Sequence, residues 1–165
     1  MPSPAINLRT YTPADFEALY KIDQSCYEPE IAYSKRELRN YLRFPGAECV
    51  VAEEAEKIVG FILTAHAAER AHIITIDVVE EYRRRGVGTS LLAESEQRLA
   101  AQGVREVALE TATDSESAIA FWQKHGYRTR GVWEGYYPGG RDAYAMTKMI
   151  APRSRAARSS EPTKD

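Results

Sequence analysis

IDVVEEYRRRGVGTS, residues 76–90, joins the end of an apolar strand to the start of a long helix through a charged turn. Gly86 and Gly88 stand where that helix begins. Glycine lets a ligand approach the backbone closely, and the unpaired N–H groups of a first helical turn, at the positive end of the helix dipole, favour a phosphate or pyrophosphate. The segment therefore predicts a pyrophosphate-binding loop, and the alternative is that the glycines serve turn geometry alone.

Strand and helix patterns alternate along the rest of the chain. Ser34 and Glu37 form a capping box, and Gly103 and Gly126 stand where helices should stop. The pattern predicts strands over 6–11, 48–53, 57–67, 72–79, 104–111, 127–137 and 143–149, and helices over 12–25, 34–43, 87–102 and 115–125. One strand, two helices, three strands, a helix, a strand, a helix and two strands predict a mixed α/β sheet with helices packed on it.

Length and composition fit one globular domain. The chain has 165 residues, of which 44% are hydrophobic and 28% charged. We expect a domain over residues 1–150 and a disordered basic and polar tail over 151–165, for which an RNA- or ribosome-tethering arm is the functional alternative. No apolar run reaches about 18 residues and the N-terminus has no signal-like core, so we expect no membrane span and a cytoplasmic location. A net charge of -2 gives no general reason to expect nucleic-acid binding.

The loop resembles a known signature more specifically than its glycines alone suggest. Arg83, Gly86 and Gly88 fill the fixed positions of Arg/Gln-x-x-Gly-x-Gly/Ala, which resembles the acetyl-CoA signature of the GNAT N-acetyltransferases. The Lys-Ser/Thr of a P-loop and the third glycine of a dinucleotide fingerprint are missing. The resemblance covers roughly residues 5–150 and implies the GNAT fold, a mixed central sheet of about seven strands with a V-shaped splay, flanked by about four helices.

The resemblance also implies acetyl-CoA as cosubstrate. In GNAT proteins the strand before the loop binds pantetheine through its backbone, and the loop holds the pyrophosphate. The residues assigned to acetyl-CoA in this way are Ile76, Asp77, Val78, Val79, Arg83, Arg84, Arg85, Gly86, Val87, Gly88, Thr89, Ser115 and Trp122.

Glu110 and His72 are the candidate catalytic residues. Glu110 ends an apolar run, where an unpaired buried carboxylate would be costly, so it should face a wet cleft or be specifically paired. Its segment resembles that of the ribosomal-protein alanine acetyltransferases, which implies that Glu110 is the general base, acting directly or through water. His72 lies fourteen residues before Gly86, where other GNAT enzymes place a catalytic residue, and imidazole suits a base or a proton relay. The alternatives are an ordinary strand-end carboxylate and a surface or hydrogen-bonded histidine.

Three positions depart from the family pattern. Trp122 stands where the alanine acetyltransferases carry a tyrosine general acid, and an indole N–H cannot deliver a proton in that way. Either Trp122 packs against the cofactor, or another group or water protonates the thiolate. Ser115 replaces an asparagine that contacts coenzyme A and can still donate a hydrogen bond. Asp77 stands where related sequences favour a small residue, and nothing in the sequence explains it.

The last strand pair indicates the acceptor. EGYYPGGRDAYAM, residues 134–146, resembles the KYYxDGEDAYAM segment of the N-terminal protein acetyltransferases, with the basic Arg141 in place of an acidic residue. The resemblance implies that Tyr136 and Tyr137 bind the substrate backbone and that Tyr27 and Pro29 form the opposite wall; plain packing is the alternative for the tyrosine pair. An α-amine has a pKa near 8 and lysine one near 10.4, so freeing lysine at pH 7 costs about 3 kcal/mol more.

We therefore expect acetyl transfer from acetyl-CoA to the α-amino group of a protein N-terminus, by direct attack in a ternary complex. The expected partner is a protein or peptide N-terminus, a ribosomal protein among the candidates, and the chain is expected to be a monomer or weak dimer. Direct attack fits two cysteines, Cys26 and Cys49, that are expected to be reduced, structural and outside the loop region. The alternatives are a GNAT enzyme acting on lysine or a small amine, and a non-catalytic acyl-CoA-binding module.

Overall fold

The computed structural model describes residues 5–150, in which the predicted order of strands and helices is found. The first helix differs from its prediction, because its opening turn is 3-10 and the α-helix begins at Phe16. The predicted tail lies outside the described residues. No helix within 5–150 is long and apolar enough to cross a membrane. The elements are β1 (Asn7–Thr10), a 3-10 turn (Pro13–Asp15), α1 (Phe16–Cys26), α2 (Lys35–Leu42), β2 (Ala47–Glu54), β3 (Lys57–Ala67), β4 (Arg70–Val78), a second 3-10 turn (Glu80–Tyr82), α3 (Val87–Ala101), β5 (Glu106–Ala112), α4 (Glu116–Lys124), β6 (Arg128–Tyr137) and β7 (Arg141–Met149).

The seven strands form one mixed sheet in the order β1-β2-β3-β4-β5-β7-β6. β4 and β5 pair in parallel, and the other neighbouring strands pair antiparallel. Parallel neighbours need a crossover connection, which α3 supplies between β4 and β5. The mixed α/β sheet of seven strands with four helices confirms the fold predicted from the sequence.

Helices cover both faces of the sheet, and each face has its own apolar core. On one face α3 and α4 contribute Leu91, Leu92 and Trp122. On the other face α1 and α2 contribute Leu19 and Leu38, both fully buried. Burying a leucine side chain stabilises the fold by about 1.5–3 kcal/mol, so these leucines fix the helices on the sheet.

The α1–α2 loop ends at a well-defined place because Ser34 and Glu37 cap the N-terminus of α2 with two reciprocal hydrogen bonds. Ser34 Oγ accepts a hydrogen bond from the Glu37 N–H at 3.1 Å, and the Ser34 N–H donates to Glu37 Oε2 at 3.2 Å. This is the capping box predicted from the sequence, and it satisfies two donors at the helix start.

A β-bulge divides β4. Leu63 pairs with Thr75 and Thr64 pairs with Ile73, so Ile74 is an extra residue on β4. A bulge of one residue changes the face to which the following side chains point. Asp77 therefore faces the α1–α2 side of the sheet, whereas an uninterrupted strand would turn it toward the α3–α4 side.

Candidate active site

β4 and β5 separate after three paired residues. Their parallel pairing joins Arg70–His72 to Glu106–Ala108, whereas β5 pairs with β7 as far as Ala112. The short pairing forms the base of a V that opens beyond His72. The splayed sheet that the resemblance implied is confirmed.

Main-chain groups of β4 line the open edge of this V. The Val79 N–H donates to Val59 O at 2.9 Å. Hydrogen-bonded and non-hydrogen-bonded pairs alternate along antiparallel strands. In the observed register, Ile76 and Val78 therefore turn their N–H and C=O groups away from β3 and into the V. Their positions agree with the predicted pantetheine contacts, which stay predictions.

Asp77 and Val79 lie differently from their prediction as cofactor-binding residues. By the same alternation their N–H groups point to β3, and Val79 O accepts from the Tyr82 N–H at 2.9 Å. The Asp77 side chain is 1% exposed and accepts a hydrogen bond from Thr75 Oγ1 at 2.6 Å. This geometry does not support cofactor contacts by either residue, because the alternation of a strand places neighbouring main-chain groups on opposite edges.

The loop that enters α3 presents unpaired N–H groups. Gly86 caps the helix at φ +81° and ψ 7°, a left-handed conformation that favours glycine. Within the described chain, the first turn of α3 has neither an acidic residue nor a side-chain cap. The first N–H to bond back into the helix is that of Ser90, to Gly86 O at 3.0 Å. The N–H groups of residues 87–89 are thus available to an anion, which the helix dipole also favours.

Three arginines precede Gly86. Arg83 Nε donates to Val78 O at 3.1 Å, which ties the loop to the end of β4. Arg84 has φ +63°, and the Arg85 guanidinium lies 5.1 Å from the centroid of the Tyr82 ring. All three arginines are exposed, so the loop is positively charged as well as rich in N–H donors.

α4 closes the loop from the other side. Phe121 faces Gly88, where a Cβ atom would lie 3.5 Å from two ring carbons. Thr89 Oγ1 lies 3.1 Å from His125 Nε2. Trp122, by contrast, is 5% exposed and belongs to the core of the α3–α4 face. This position does not support the predicted packing of Trp122 against the cofactor, and Phe121 is the aromatic residue beside the loop.

Ser115 stands at the N-cap of α4 and is half-buried. Its N–H donates to Ala112 O at 3.1 Å, which ties the start of α4 to the end of β5. The predicted contact of its hydroxyl with coenzyme A stays a prediction.

Cys26 lies beside the loop, so the expectation that both cysteines are outside this region is wrong. Its Sγ is 3.5 Å from Val78 O and 3.5 Å from Arg83 Nη2. Cys26 and the loop are far apart in the sequence, but they come together in the fold because α1 ends against β4. Burial raises the pKa of the Cys26 thiol; Asp77 adds to the rise and Arg83 opposes it. The thiol is therefore protonated at neutral pH and is a weak nucleophile. Cys49 is buried in the core of the α1–α2 face.

His72 and Glu110 meet at the mouth of the V. His72 is the last β4 residue paired with β5, and Glu110 lies two residues beyond its partner Ala108. His72 Nε2 contacts Glu110 Oε2. The His72 side chain is 43% exposed and that of Glu110 19%, so the imidazole reaches solvent while the carboxylate is largely enclosed. Such a pair can pass a proton from an enclosed base to bulk water.

Two tyrosines of β6 lie next to Glu110. Tyr137 Oη donates to Glu110 O at 3.4 Å, and the Tyr136 and Tyr137 rings meet edge to face with centroids 4.9 Å apart. Burial, followed by the neighbouring Tyr136 and Glu110, raises the pKa of Tyr137 to about 12. Burial and then the Glu110 carboxylate also raise the pKa of Tyr136. Both hydroxyls therefore stay protonated and can donate hydrogen bonds.

Tyr27 contacts β4 through its hydroxyl, and its predicted place in the wall opposite the tyrosine pair stays a prediction. Its hydroxyl is 3.2 Å from Thr75 Oγ1 and donates to Ile76 O at 3.4 Å. Ile76 O is one of the main-chain groups that point into the V. Tyr27 therefore lies at the border between the open edge of β4 and the α1–α2 loop.

Arg141, at the start of β7, makes ion pairs with the α1–α2 loop and with the loop before α4. Arg141 Nη1 is 3.5 Å from Glu28 Oε2, and Arg141 Nη2 is 2.8 Å from Asp114 Oδ1. Pro29 follows in an exposed turn. Exposed ion pairs of this kind contribute about 0–1 kcal/mol each, so the bridge can open for a substrate.

Sequence reasoning missed two tyrosines of this wall, Tyr33 and Tyr41. Their ring centroids are 5.0 Å apart, and the Tyr33 hydroxyl donates to Ile74 O at 3.4 Å, at the bulge. Tyr136 contributes to the raised pKa of Tyr33, for which burial is the main cause, so β6 comes close to this pair. The available signal was the position of Tyr33 directly before the capping box.

A family model described as the acetyltransferase (GNAT) family matches residues 16–127. The chain belongs to the GNAT family. It is therefore a transferase that moves an acyl group from an acyl-CoA.

Named relatives of this GNAT enzyme include archaeal N-alpha-acetyltransferases. The chain is 36% identical over 82 residues to the one from Saccharolobus solfataricus, a match that spans 49% of each chain. It is 32% identical over 113 residues to the one from Sulfurisphaera tokodaii, covering 61% of this chain and 68% of the relative. The match therefore spans about half of the first of these relatives and about two thirds of the second.

Solved structures show the same fold. The ribosomal-protein-S18-alanine N-acetyltransferase from Escherichia coli superposes with a TM-score of 0.84 at 23% identity, covering 92% of this chain and 97% of that one. Ard1 from Thermoplasma volcanium gives 0.81 at 29% identity, covering 90% and 99%. Arabidopsis thaliana NAA60, solved with acetyl-CoA, gives 0.78 at 21% identity, covering 88% and 99%.

Proposed function

We propose that this GNAT enzyme transfers the acetyl group of acetyl-CoA to the α-amino group of a protein or peptide N-terminus. The observation that carries the proposal is the His72–Glu110 pair at the mouth of the V, with Tyr136 and Tyr137 beside it. The archaeal relatives named N-alpha-acetyltransferase support the same acceptor. A ribosomal protein as the substrate stays a prediction from the sequence.

The donor binds along β4 and the α3 loop. The pantetheine arm accepts hydrogen bonds from the outward-facing N–H groups of Ile76 and Val78, and the pyrophosphate accepts hydrogen bonds from the N–H groups of 87–89. Acetyl-CoA supplies an activated thioester carbonyl. Because the donor is held largely by main-chain groups, its position is set by the fold rather than by flexible side chains.

The acceptor amine must lose a proton before it attacks. Glu110 takes that proton, directly or through water, and His72 transmits it to solvent from the more exposed side of the pair. The hydroxyls of Tyr136 and Tyr137 bind the first residues of the peptide. Freeing an α-amine at pH 7 costs about 3 kcal/mol less than freeing a lysine side chain, so one carboxylate–imidazole pair suits an N-terminus better.

The amine attacks the thioester directly in a ternary complex. Cys26 is the thiol nearest the loop, but burial keeps it protonated, so a cysteinyl intermediate is disfavoured. The leaving thiolate takes its proton from another group or from water, since Trp122 is buried and its indole N–H is not acidic.

Peptides with matched sequences test the acceptor. One peptide carries a free N-terminus and no lysine, a second has a blocked N-terminus and one lysine, and the acetylated atom is located by fragmentation mass spectrometry. We expect turnover on the free N-terminus alone. Equal turnover on the blocked lysine peptide would show that the enzyme is a GNAT with a different acceptor.

A further inference from the structure

Two aspartates lie buried against each other behind the acceptor wall. Asp23 of α1 is fully buried and Asp77 of β4 is 1% exposed. The two carboxyls act on each other: Asp23 raises the pKa of Asp77, and Asp77 lowers that of Asp23 against the larger effect of burial. One oxygen of each, Asp23 Oδ1 and Asp77 Oδ2, is buried without a donor from any other described residue. Two ionised carboxylates in this position would repel each other in a medium that screens them poorly.

The remaining oxygens are tied to the acceptor wall. Asp23 Oδ2 accepts from the Tyr33 N–H at 2.8 Å, and Asp77 Oδ1 accepts from the Thr75 hydroxyl at 2.6 Å. Thr75 is in turn 3.2 Å from the Tyr27 hydroxyl. The two carboxyls thus connect α1 and β4 to both ends of the loop that carries Tyr27 and Tyr33.

Compensating charge is missing around the pair. Among residues 5–150, no lysine, arginine or histidine makes an ion pair with Asp23 or Asp77. The titratable groups that interact electrostatically with the pair, from α1, the α1–α2 loop, α2 and β2, are Cys26, Tyr27, Tyr33, Glu37 and Cys49. Arg83 reaches Cys26 Sγ rather than a carboxyl.

We infer that Asp23 and Asp77 share one proton and act as positioning residues, holding the Tyr27–Tyr33 segment on β4 in the shape that binds the acceptor peptide. The inference rests on the proposed function for its substrate, but the state of the carboxyls is a property of the protein alone. Loss of the shared proton leaves two buried negative charges, which push α1 away from β4 and open the acceptor wall.

Burial is the main reason why the Asp23–Asp77 pair keeps its shared proton. It raises the pKa of Asp77, and the neighbouring Asp23 raises it further, with Thr75 and Tyr27 opposing. Burial also raises the pKa of Asp23. As a coupled pair, the two carboxyls give up one proton at low pH and retain the second to a higher pH.

Infrared spectroscopy of the full chain at neutral pH tests the shared proton without any substrate. A protonated carboxyl has a C=O stretch that an ionised carboxylate lacks. We expect this band in the wild type, and we expect its loss in Asp77→Asn, where the amide N–H donates to Asp23 in place of the proton. A wild-type spectrum without the band would overturn the inference.

Stability against pH gives a second test. A carboxyl whose pKa is raised in the folded state holds a proton that the unfolded chain releases, so folding stability falls as pH rises above the unfolded value of about 4. Asp77→Asn removes this dependence. We expect the melting temperature of Asp77→Asn, relative to wild type, to increase as pH rises from 5 to 8; a difference that stays constant would contradict a retained proton.

Kinetics separate positioning from a merely structural role. The peptide KM of wild type, divided by that of Asp77→Asn, should rise with pH, by up to tenfold per pH unit once the shared proton leaves. Titration of the peptide amine affects both enzymes equally and therefore cancels in this ratio. Asp77→Ala, which cannot donate to Asp23, should have a higher peptide KM than Asp77→Asn already at pH 7. Equal KM values for Asn and Ala, or a ratio independent of pH, would overturn the positioning role. Absence of acetyl transfer would instead refute the proposed function and leave the infrared and melting tests intact.

Discussion

Gly86 offers the sharpest test of the pyrophosphate loop. Two substitutions there cause the same backbone strain, but only one of them adds a negative charge beside the bound phosphates. Its φ of +81° costs a residue with a Cβ atom about 1–2 kcal/mol. A Cβ atom at Gly86 would have no heavy atom within 4 Å, so no clash adds to that cost. Gly86→Gln and Gly86→Glu should therefore lose similar stability, roughly 2–8 °C in melting temperature for a chain of this length.

The two variants should differ in affinity for coenzyme A. A carboxylate roughly 6 Å from a phosphate charge is disfavoured by about 0.7 kcal/mol at the dielectric constant of water and by about 3 kcal/mol at an effective value of 20. Because the position is exposed, we expect the lower half of that range for each of the phosphate charges it faces. Gly86→Glu should then bind coenzyme A more weakly than Gly86→Gln by about 3- to 20-fold for each phosphate charge that the carboxylate faces.

Titration calorimetry with coenzyme A measures this ratio directly. The ratio should shrink as salt is added, since the charges are exposed and about 10 Å is the screening length at 0.1 M. Equal affinities of the glutamate and glutamine variants at low salt, with equal melting temperatures, would refute the placement of the pyrophosphate at the start of α3.

Four further outcomes follow from the site and the fold. Glu110→Gln should lower kcat by about 10²–10⁴, measured by thiol release, with coenzyme A affinity retained; unchanged turnover would remove Glu110 as the base. Tyr137→Phe removes the hydroxyl proposed to hydrogen-bond the peptide, a bond worth about 1 kcal/mol, so peptide KM should rise about fivefold. Cys26→Ser should retain turnover, and intact-mass analysis of acid-quenched wild type should show no acetylated enzyme. The Arg9 guanidinium holds the pKa of Asp15 below its usual range, so the stability advantage of wild type over Asp15→Asn, followed by melting temperature, should be present above about pH 4 and lost below it.

Local signals in the sequence accounted for the elements and their order. The capping box at Ser34 and Glu37 fixed the start of α2, because a cap involves neighbouring residues only. Gly86 likewise marked the start of α3 through its own backbone geometry. The resemblance to a family supplied the splay, which no local pattern could indicate.

Long-range features of the site were beyond reach from the sequence. The contact of His72 with Glu110 depends on the register of two parallel strands joined through a helix. The packing of Cys26 beside Arg83 depends on where α1 ends on the sheet. Trp122 and its neighbour Phe121 are both apolar, and the choice of which faces the core is made by tertiary packing.

The bulge at Ile74 sets which side chains of β4 lie on the face where the acceptor is proposed to bind. Before the bulge, Ala71 and Ile73 pack on the α3–α4 side, which leaves His72 on the opposite face. In a regular strand, residues 75 and 77 would share the face of Ala71 and Ile73; the extra residue moves Thr75 and Asp77 to the face of His72. In the proposed reaction, side chains on that face therefore point toward the acceptor, while main-chain groups at the open edge hold the donor. Side-chain substitutions on this face of β4 should accordingly change acceptor kinetics more than coenzyme A affinity, because they leave the edge that holds the donor intact.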